Sequence, residues 1–193
     1  MKIAFTGPRP NKLVGYNEAN YSEFIPELTA LLSQFGDDTE FICGGAQGFD
    51  QLAFAAAYAL KQTHPNIKVK VYVPFEGQER LWKPTGIFGK DKYREQLQQA
   101  DEVRYISDVK ADAKYGEIVR ALFKRNEAMV NDADMVIALY PTDYWRMDTG
   151  GTAGCMRYAL GKKPLYQLRF KKPNEVLTID GELALIEEQT TTE

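Results

Sequence analysis

The stretch 121–159, ALFKRNEAMVNDADMVIALYPTDYWRMDTGGTAGCMRYA, decides the fold. Ala121, Leu122 and Met129, with Ile118 just upstream, fall on one face at helical spacing, and the pattern stops at Asp132. MVIALY follows as an unbroken apolar run, the pattern of a strand covered on both faces of a parallel sheet. An irregular loop, PTDYWRMDTGG, then leads to a second helix that the pair Gly150 and Gly151 opens at Thr152. In an open α/β sheet, ligands settle beyond the carboxyl ends of the strands, where helix N-termini offer free N–H groups to an anion. Arg125 and Asn126 share the apolar face of the first helix. A guanidinium there requires an acidic partner or a ligand, because an unpaired buried charge is very costly.

Towards the N-terminus the same alternation repeats. KIAFTG (2–7) reads as a first strand whose Thr6 and Gly7 meet a loop, and Pro8 and Pro10 stiffen the backbone around Arg9, which presents either a ligand contact or a plain surface charge. A helix is expected from Ser22 as N-cap, with Phe24, Leu28, Leu31, Leu32 and Phe35 as its stripe and Gly36 as its stop. TEFICGG is the second strand. Its glycine turn, with Gly44, Gly45 and Gly48, runs into a helix carrying Leu52, Ala56 and Leu60, an order that lets backbone approach a phosphate, although neither the Walker pattern nor G-x-G-x-x-G is complete. Asp50 is placed to cap that helix or to bind a sugar hydroxyl.

KVKVYVPF is a third strand, followed by the long irregular segment 76–93, whose length suits a lid or binding loop. Its Trp82 can stack on a base or cover the sheet edge. A short helix at Tyr93–Ala100 and the strands EVRYIS, MVIALY and PLYQLRF complete the series. These elements predict an α/β chain: a three-layer, Rossmann-like, open and mostly parallel sheet with helices on both faces over residues 1–172. Residues 173–193 read as a C-terminal edge extension, with VLTI as an edge strand ahead of a frayed, acidic end.

Composition excludes several classes. A length of 193 residues suits one domain with its own core, and no apolar stretch is long enough to cross a bilayer. The N-terminal residues lack the layout of a secretory signal, which points to the cytoplasm. Cys43 and Cys155 match no metal-ligand spacing and read as reduced, buried thiols, and the lone His64 reads as a partner for a helix C-terminus, so neither metal nor cofactor is expected. A net charge of −3 argues against sequence-independent nucleic-acid binding, which needs clustered Lys and Arg.

With these residues laid out, the chain resembles the SLOG superfamily of Rossmann-like proteins, and within it the YpsA-like branch often found in bacteria and their phages. TGPRPNKL (6–13), GGAQGFDQLA (44–53), VPFEGQERLW (73–82), KRNEAMVNDADMVIALY (124–140) and GGTAGCMRYA (150–159) carry the likeness. The LOG enzymes of that superfamily are similar to phosphoribohydrolases and carry R-K-x-x-M, then P-G-G-x-G-T-x-x-E. Arg125, Met129, Gly150 and Gly151 match, while Asn126 stands in place of the lysine. The related nucleoside deoxyribosyltransferases carry G-T-A-x-E-x-x-Y-A, which Gly151, Thr152, Ala153, Tyr158 and Ala159 match, with Cys155 at the nucleophilic glutamate. Under either alignment the carboxylate is missing, replaced by Cys155 or by Met156 and Arg157. A neutral thiol cannot stabilise an oxocarbenium-like charge.

The leading expectation is therefore a module that binds a nucleotide or nucleotide-derived ligand, such as an ADP-ribose species or a nucleoside monophosphate, as sensor, carrier or sequestering protein. Thr6, Gly7, Arg9, Gly44, Gly45, Gly48, Asp50, Arg125, Asn126, Gly150, Gly151 and Thr152 are its expected contacts, and Trp82 or Tyr140 would cover the base. A competing expectation is an N-glycoside hydrolase or transferase in which Asp148, Asp143 or Asp50 replaces the glutamate. A third is a scaffold or DNA-processing partner, weakened by the acidic charge. The resemblance also implies a homo-oligomer.

Overall fold

The computed structural model describes residues 1–187, and the end of the expected frayed tail lies outside them. Six parallel strands, β1 (Lys2–Thr6), β2 (Glu40–Cys43), β3 (Lys68–Val73), β4 (Glu102–Tyr105), β5 (Met135–Leu139) and β6 (Leu165–Leu168), form one sheet. Counting a short antiparallel addition, β9 (Ala184–Leu185), the order is β4-β3-β2-β1-β5-β6-β9. Between the strands run α1 (Phe24–Leu32), α2 (Phe49–Lys61), α3 (Lys90–Gln99), α4 (Tyr115–Asp132) and α5 (Gly151–Ala159).

Alternation along the strands sorts the core into two halves. Ile3, Phe5, Phe41, Val69, Val71, Ile137 and Leu139 point towards α1 and α2, where they meet Phe24, Leu28, Leu52 and Ala56. Ala4, Ile42, Val136 and Ala138 point the other way and meet Met129 and Val130 of α4 and Ala153, Met156 and Ala159 of α5. Helices thus cover both faces, and the three-layer, mostly parallel architecture follows from strands apolar on both sides. The series β1 to β4 grows outward in one direction. Helix α4 then carries the chain back so that β5 pairs with the far side of β1, with Ile3 opposite Met135 and Thr6 opposite Ala138. At that reversal the loops after β1 and β5 leave towards opposite faces and open a crevice.

Three local expectations need correction. Ser22 does not cap α1: it closes a preceding 3-10 turn at Glu18–Tyr21, and the helix begins at Phe24 after an uncapped Glu23. Asp50 is not the cap of α2, since Gly48 holds that place and Asp50 lies inside the first turn. In VLTI, Thr178 and Ile179 form β8, which pairs with β7 (Phe170–Lys171) in a separate hairpin, while β9 is the strand that joins the main sheet. Strands of two residues carry too little pattern to be placed from sequence.

Candidate functional site

The loop after β1 is built by contact with the start of α2. Gly7 has no side chain because a Cβ there would run into the Phe49 ring, and Gly48, at φ +97°, packs where a Cβ would strike the Pro8 carbonyl. That carbonyl accepts the Phe49 N–H at 3.1 Å, while Pro10 opens a 3-10 turn over Pro10–Lys12. The turn sets Lys12 beside the loop that follows β5.

Behind this loop lies the charge that the helical pattern left without a partner. Arg125 is 5% exposed and Asp50 6%. The Nη1 of Arg125 donates to the Gly44 carbonyl and lies 3.4 Å from Oδ2 of Asp50, while its Nε donates to Oδ1 of Asn126 at 2.9 Å. Asp50 also accepts the Ala46 N–H at 3.2 Å. Burial raises the Asp50 carboxyl above its ordinary range, with Arg125, the Ala46 N–H and Arg9 pulling the other way. A Cβ on Gly44 would collide with both the guanidinium and the carboxylate. The glycine therefore makes room for an internal ion pair.

On the far side of the crevice, the loop 140–150 is pinned at several points. Gln167 donates to the carbonyls of Tyr140 and Thr142 at 3.0 and 2.9 Å, and Arg157 donates to those of Trp145 and Asp148 at 2.8 and 2.6 Å. Asp148 accepts the Tyr140 hydroxyl and the Gly150 N–H at 3.2 Å, with Lys12 Nζ 3.5 Å away. The Tyr140 hydrogen bond leads the effects that hold this carboxyl down at about 2, so it is ionised at neutral pH. Burial, then the neighbouring carboxylate, pushes the Tyr140 phenol up to about 12. Helix α5 starts immediately afterwards, with Gly150 as N-cap, no side-chain cap and no acid in its first turn. Asp148 takes the Gly150 N–H, and the N–H groups that follow it open towards the crevice with the positive end of the helix dipole.

Between these walls lies a cavity of about 270 Å³ lined by Thr6, Gly7, Pro8, Arg9, Asn11, Lys12, Asp50, Arg125, Asn126, Tyr140, Asp148, Gly150, Gly151 and Thr152, among others. Arg9 is exposed and keeps its charge at neutral pH, although partial desolvation in the crevice lowers its pKa, opposed by Asp50. Cys155, where the deoxyribosyltransferase pattern has glutamate, is 4% exposed and its thiol is pushed up to about 11 by burial. It is a neutral group at physiological pH.

Not every expected residue arrives here. Gly44, Gly45 and Gly48 do not line the cavity, because the ion pair and the Pro8 carbonyl fill the space beside Gly44 and Gly48. Trp82 packs edge-on against Tyr93, with ring centroids 5.1 Å apart, and lines a different hollow. Asp143 is exposed and paired with Arg169 at 2.9 Å. Conversely, Lys12 and Asn11 line the cavity without being among the expected contacts, as does Pro8, expected only to stiffen the loop. Pro10 at a turn start was the available sign that Lys12 would be held in place.

An open, mostly parallel sheet that reverses order between β1 and β5, with helices on both faces and a crevice at the reversal, defines a Rossmann-like α/β protein. No helix among the described residues is long and apolar enough to cross a membrane. The chain belongs to the YspA SLOG family, whose YpsA model matches residues 3–172. It is similar to the uncharacterized SPbeta prophage-derived protein YoqJ of Bacillus subtilis (strain 168), 33% identical over 124 residues, covering 62% of this chain and 68% of that protein. UPF0398 protein YpsA of the same strain is 23% identical over 192 residues, covering 97% of this chain and 98% of the relative. UPF0398 protein ABC2016 of Shouchella clausii (strain KSM-K16) is 33% identical over 106 residues, and there the match spans about half of either chain, 54% of this one and 52% of the other.

Proposed function

We propose that the crevice binds a nucleotide or nucleotide-derived ligand through its phosphate, and that the protein acts as sensor, carrier or sequestering agent. The observation that carries this reading is the N-terminus of α5, with no acid inside its first turn and Asp148 just ahead of it, facing a cavity that Arg9 and Lys12 also line. Free N–H groups, a positive dipole end and two cations form a set suited to a phosphate. Ionised Asp148 accepts hydrogen bonds only, which suits a sugar hydroxyl next to that phosphate. A volume of about 270 Å³ lies just below the usual range of small-molecule pockets. It suits a sugar phosphate, with the rest of a larger ligand lying along the mouth.

Arg125 lines the cavity, and of the two roles the sequence left open for it, its hydrogen bonds favour the acidic partner. With Asp50 and Gly44 occupying its Nη1, it supports the cavity wall rather than serving as a free phosphate clamp. Titration calorimetry with AMP, ADP-ribose and ribose 5-phosphate tests the reading. Binding should weaken about tenfold in Lys12→Ala, the loss of one charge-assisted contact, and fall as salt rises. Silent titrations across the panel would remove it.

N-glycoside cleavage is the second reading, and Asp148 is what favours it. Of the three replacement carboxylates, Asp143 lies elsewhere and Asp50 is neutralised by its partner, whereas Asp148 lines the cavity in its ionised form. It could stabilise a cationic sugar, but a carboxyl held at about 2 is a poor proton donor to the leaving base. Chromatography should show free base from nucleoside monophosphates and none with Asp148→Asn. Absence of base with the unaltered protein would end this second reading.

A further inference from the structure

A smaller cavity of about 190 Å³ opens beside the first, and the two share Pro8, Lys12 and Tyr140 as common walls. Its other walls are Pro141, Thr142, Tyr144 and Phe170. Across the shared residues the lining changes from cations and free N–H groups to rings and prolines.

Tyr144 is 63% exposed, and its hydroxyl has no hydrogen-bond partner among the described residues. Local geometry holds the ring out. Thr142 Oγ1 accepts the Tyr144 N–H at 3.3 Å and starts a 3-10 turn over Asp143–Arg146, whose Trp145 is wholly buried at the back while Tyr144 stays in front. Gln167 and Arg157 fix this loop through its carbonyls, as described above. An aromatic ring left in water on a pinned loop is a ready stacking surface at little entropic cost.

We infer that this cleft is the base subsite of the same ligand, receiving the flat ring of a nucleoside phosphate against Tyr144 and Pro141, with the buried Phe170 as part of its floor. The inference rests on the phosphate reading of the neighbouring cavity. A ligand anchored at the N-terminus of α5 meets Asp148 and Lys12 next, and then this cleft, which is the order phosphate, sugar, base. Trp82 offers no comparable route, since its hollow shares no wall with the anion cavity. Stacking accepts any base, because every base has a π-face, so the cleft selects for a nucleobase as such.

Calorimetry with AMP and with ribose 5-phosphate, on the unaltered chain and on Tyr144→Ala, Tyr144→Phe and Trp82→Ala, decides the point. The expected result is an AMP affinity about tenfold lower in Tyr144→Ala, restored in Tyr144→Phe and unaffected in Trp82→Ala, with ribose 5-phosphate unchanged throughout. Unchanged AMP affinity in Tyr144→Ala, or an equal loss for both probes, overturns the inference. If the unaltered chain binds both probes equally tightly, the phosphate reading stands and the base subsite falls. Silence towards both removes the two together.

Discussion

Replacing Arg125 by methionine separates a structural charge from a ligand-binding one. The substitution keeps an unbranched stem but stops short of the guanidinium, and it leaves the Asp50 carboxylate and the Gly44 carbonyl facing an interior position without their donor. Both partners are at least nine-tenths buried, which puts the loss in the class of a broken buried ion pair, about 3–5 kcal/mol. At about 2–4 °C per kcal/mol for a chain of this size, the melting temperature should drop by roughly 6–20 °C. Asp50→Asn should also destabilise, and the double variant should lose less than the sum of the two, by about 1 kcal/mol or more. The pH dependence has a definite sign. Burial already raises the Asp50 carboxyl, and losing Arg125 raises it further. A folded state that holds its proton more tightly than the unfolded one is favoured below the ordinary carboxylate pKa and loses that advantage as pH rises through the folded value. The deficit of Arg125→Met should therefore be smaller near pH 4 than at pH 8. Thermal and urea denaturation followed by circular dichroism, at each pH, measure these changes. Additive single-variant losses, or a destabilisation by Arg125→Met below about 1 kcal/mol, would refute the internal pairing.

Three further outcomes are expected. Gly151→Asp has free space for its side chain and should leave the melting temperature unchanged or slightly higher, because an acid suits a helix start, while weakening AMP by at least about tenfold in calorimetry. Tyr140→Phe should raise the Asp148 carboxyl from about 2 towards its ordinary value, read by carbon-detected NMR titration; with the native tyrosine the contribution of Asp148 is complete above about pH 4 and is lost as pH falls towards 2. Native protein at pH 7.5 should resist iodoacetamide at both cysteines, with mass spectrometry showing labelling only after unfolding, because both thiols are buried and their pKa values lie above the ordinary range.

Much of the fold was legible because its signals are local. The unbroken MVIALY run, the alternating KVKVYV and the glycine turn after TEFIC each state their element within a few residues, and six strands separated by helices leave few arrangements open. Arg125 was also legible as a problem, since it interrupts an apolar helical face. Its answer was not, because Asp50 lies 75 positions earlier and reaches it only after β2 and α2 are in place. For the same reason the tight space at Gly44 was not legible, because a glycine before a helix and a glycine beside a guanidinium look alike in one dimension. Trp82 was an aromatic in a long loop, and only tertiary packing against Tyr93 shows it to be elsewhere. Lys12 was visible in the motif, yet its neighbour Asp148 is 136 positions away.

The missing side chain at Gly44 has a consequence for saturation mutagenesis of this family. A Cβ at that position meets the guanidinium and carboxylate at once, and one at Gly7 meets the Phe49 ring. A fitness map would score these two glycines as intolerant as any residue touching a bound molecule. Intolerance at Gly44 would then report the tightness of a salt bridge in the wall, whereas Tyr144 and Gly151, which have room to change, are the positions where a loss of fitness would speak about recognition.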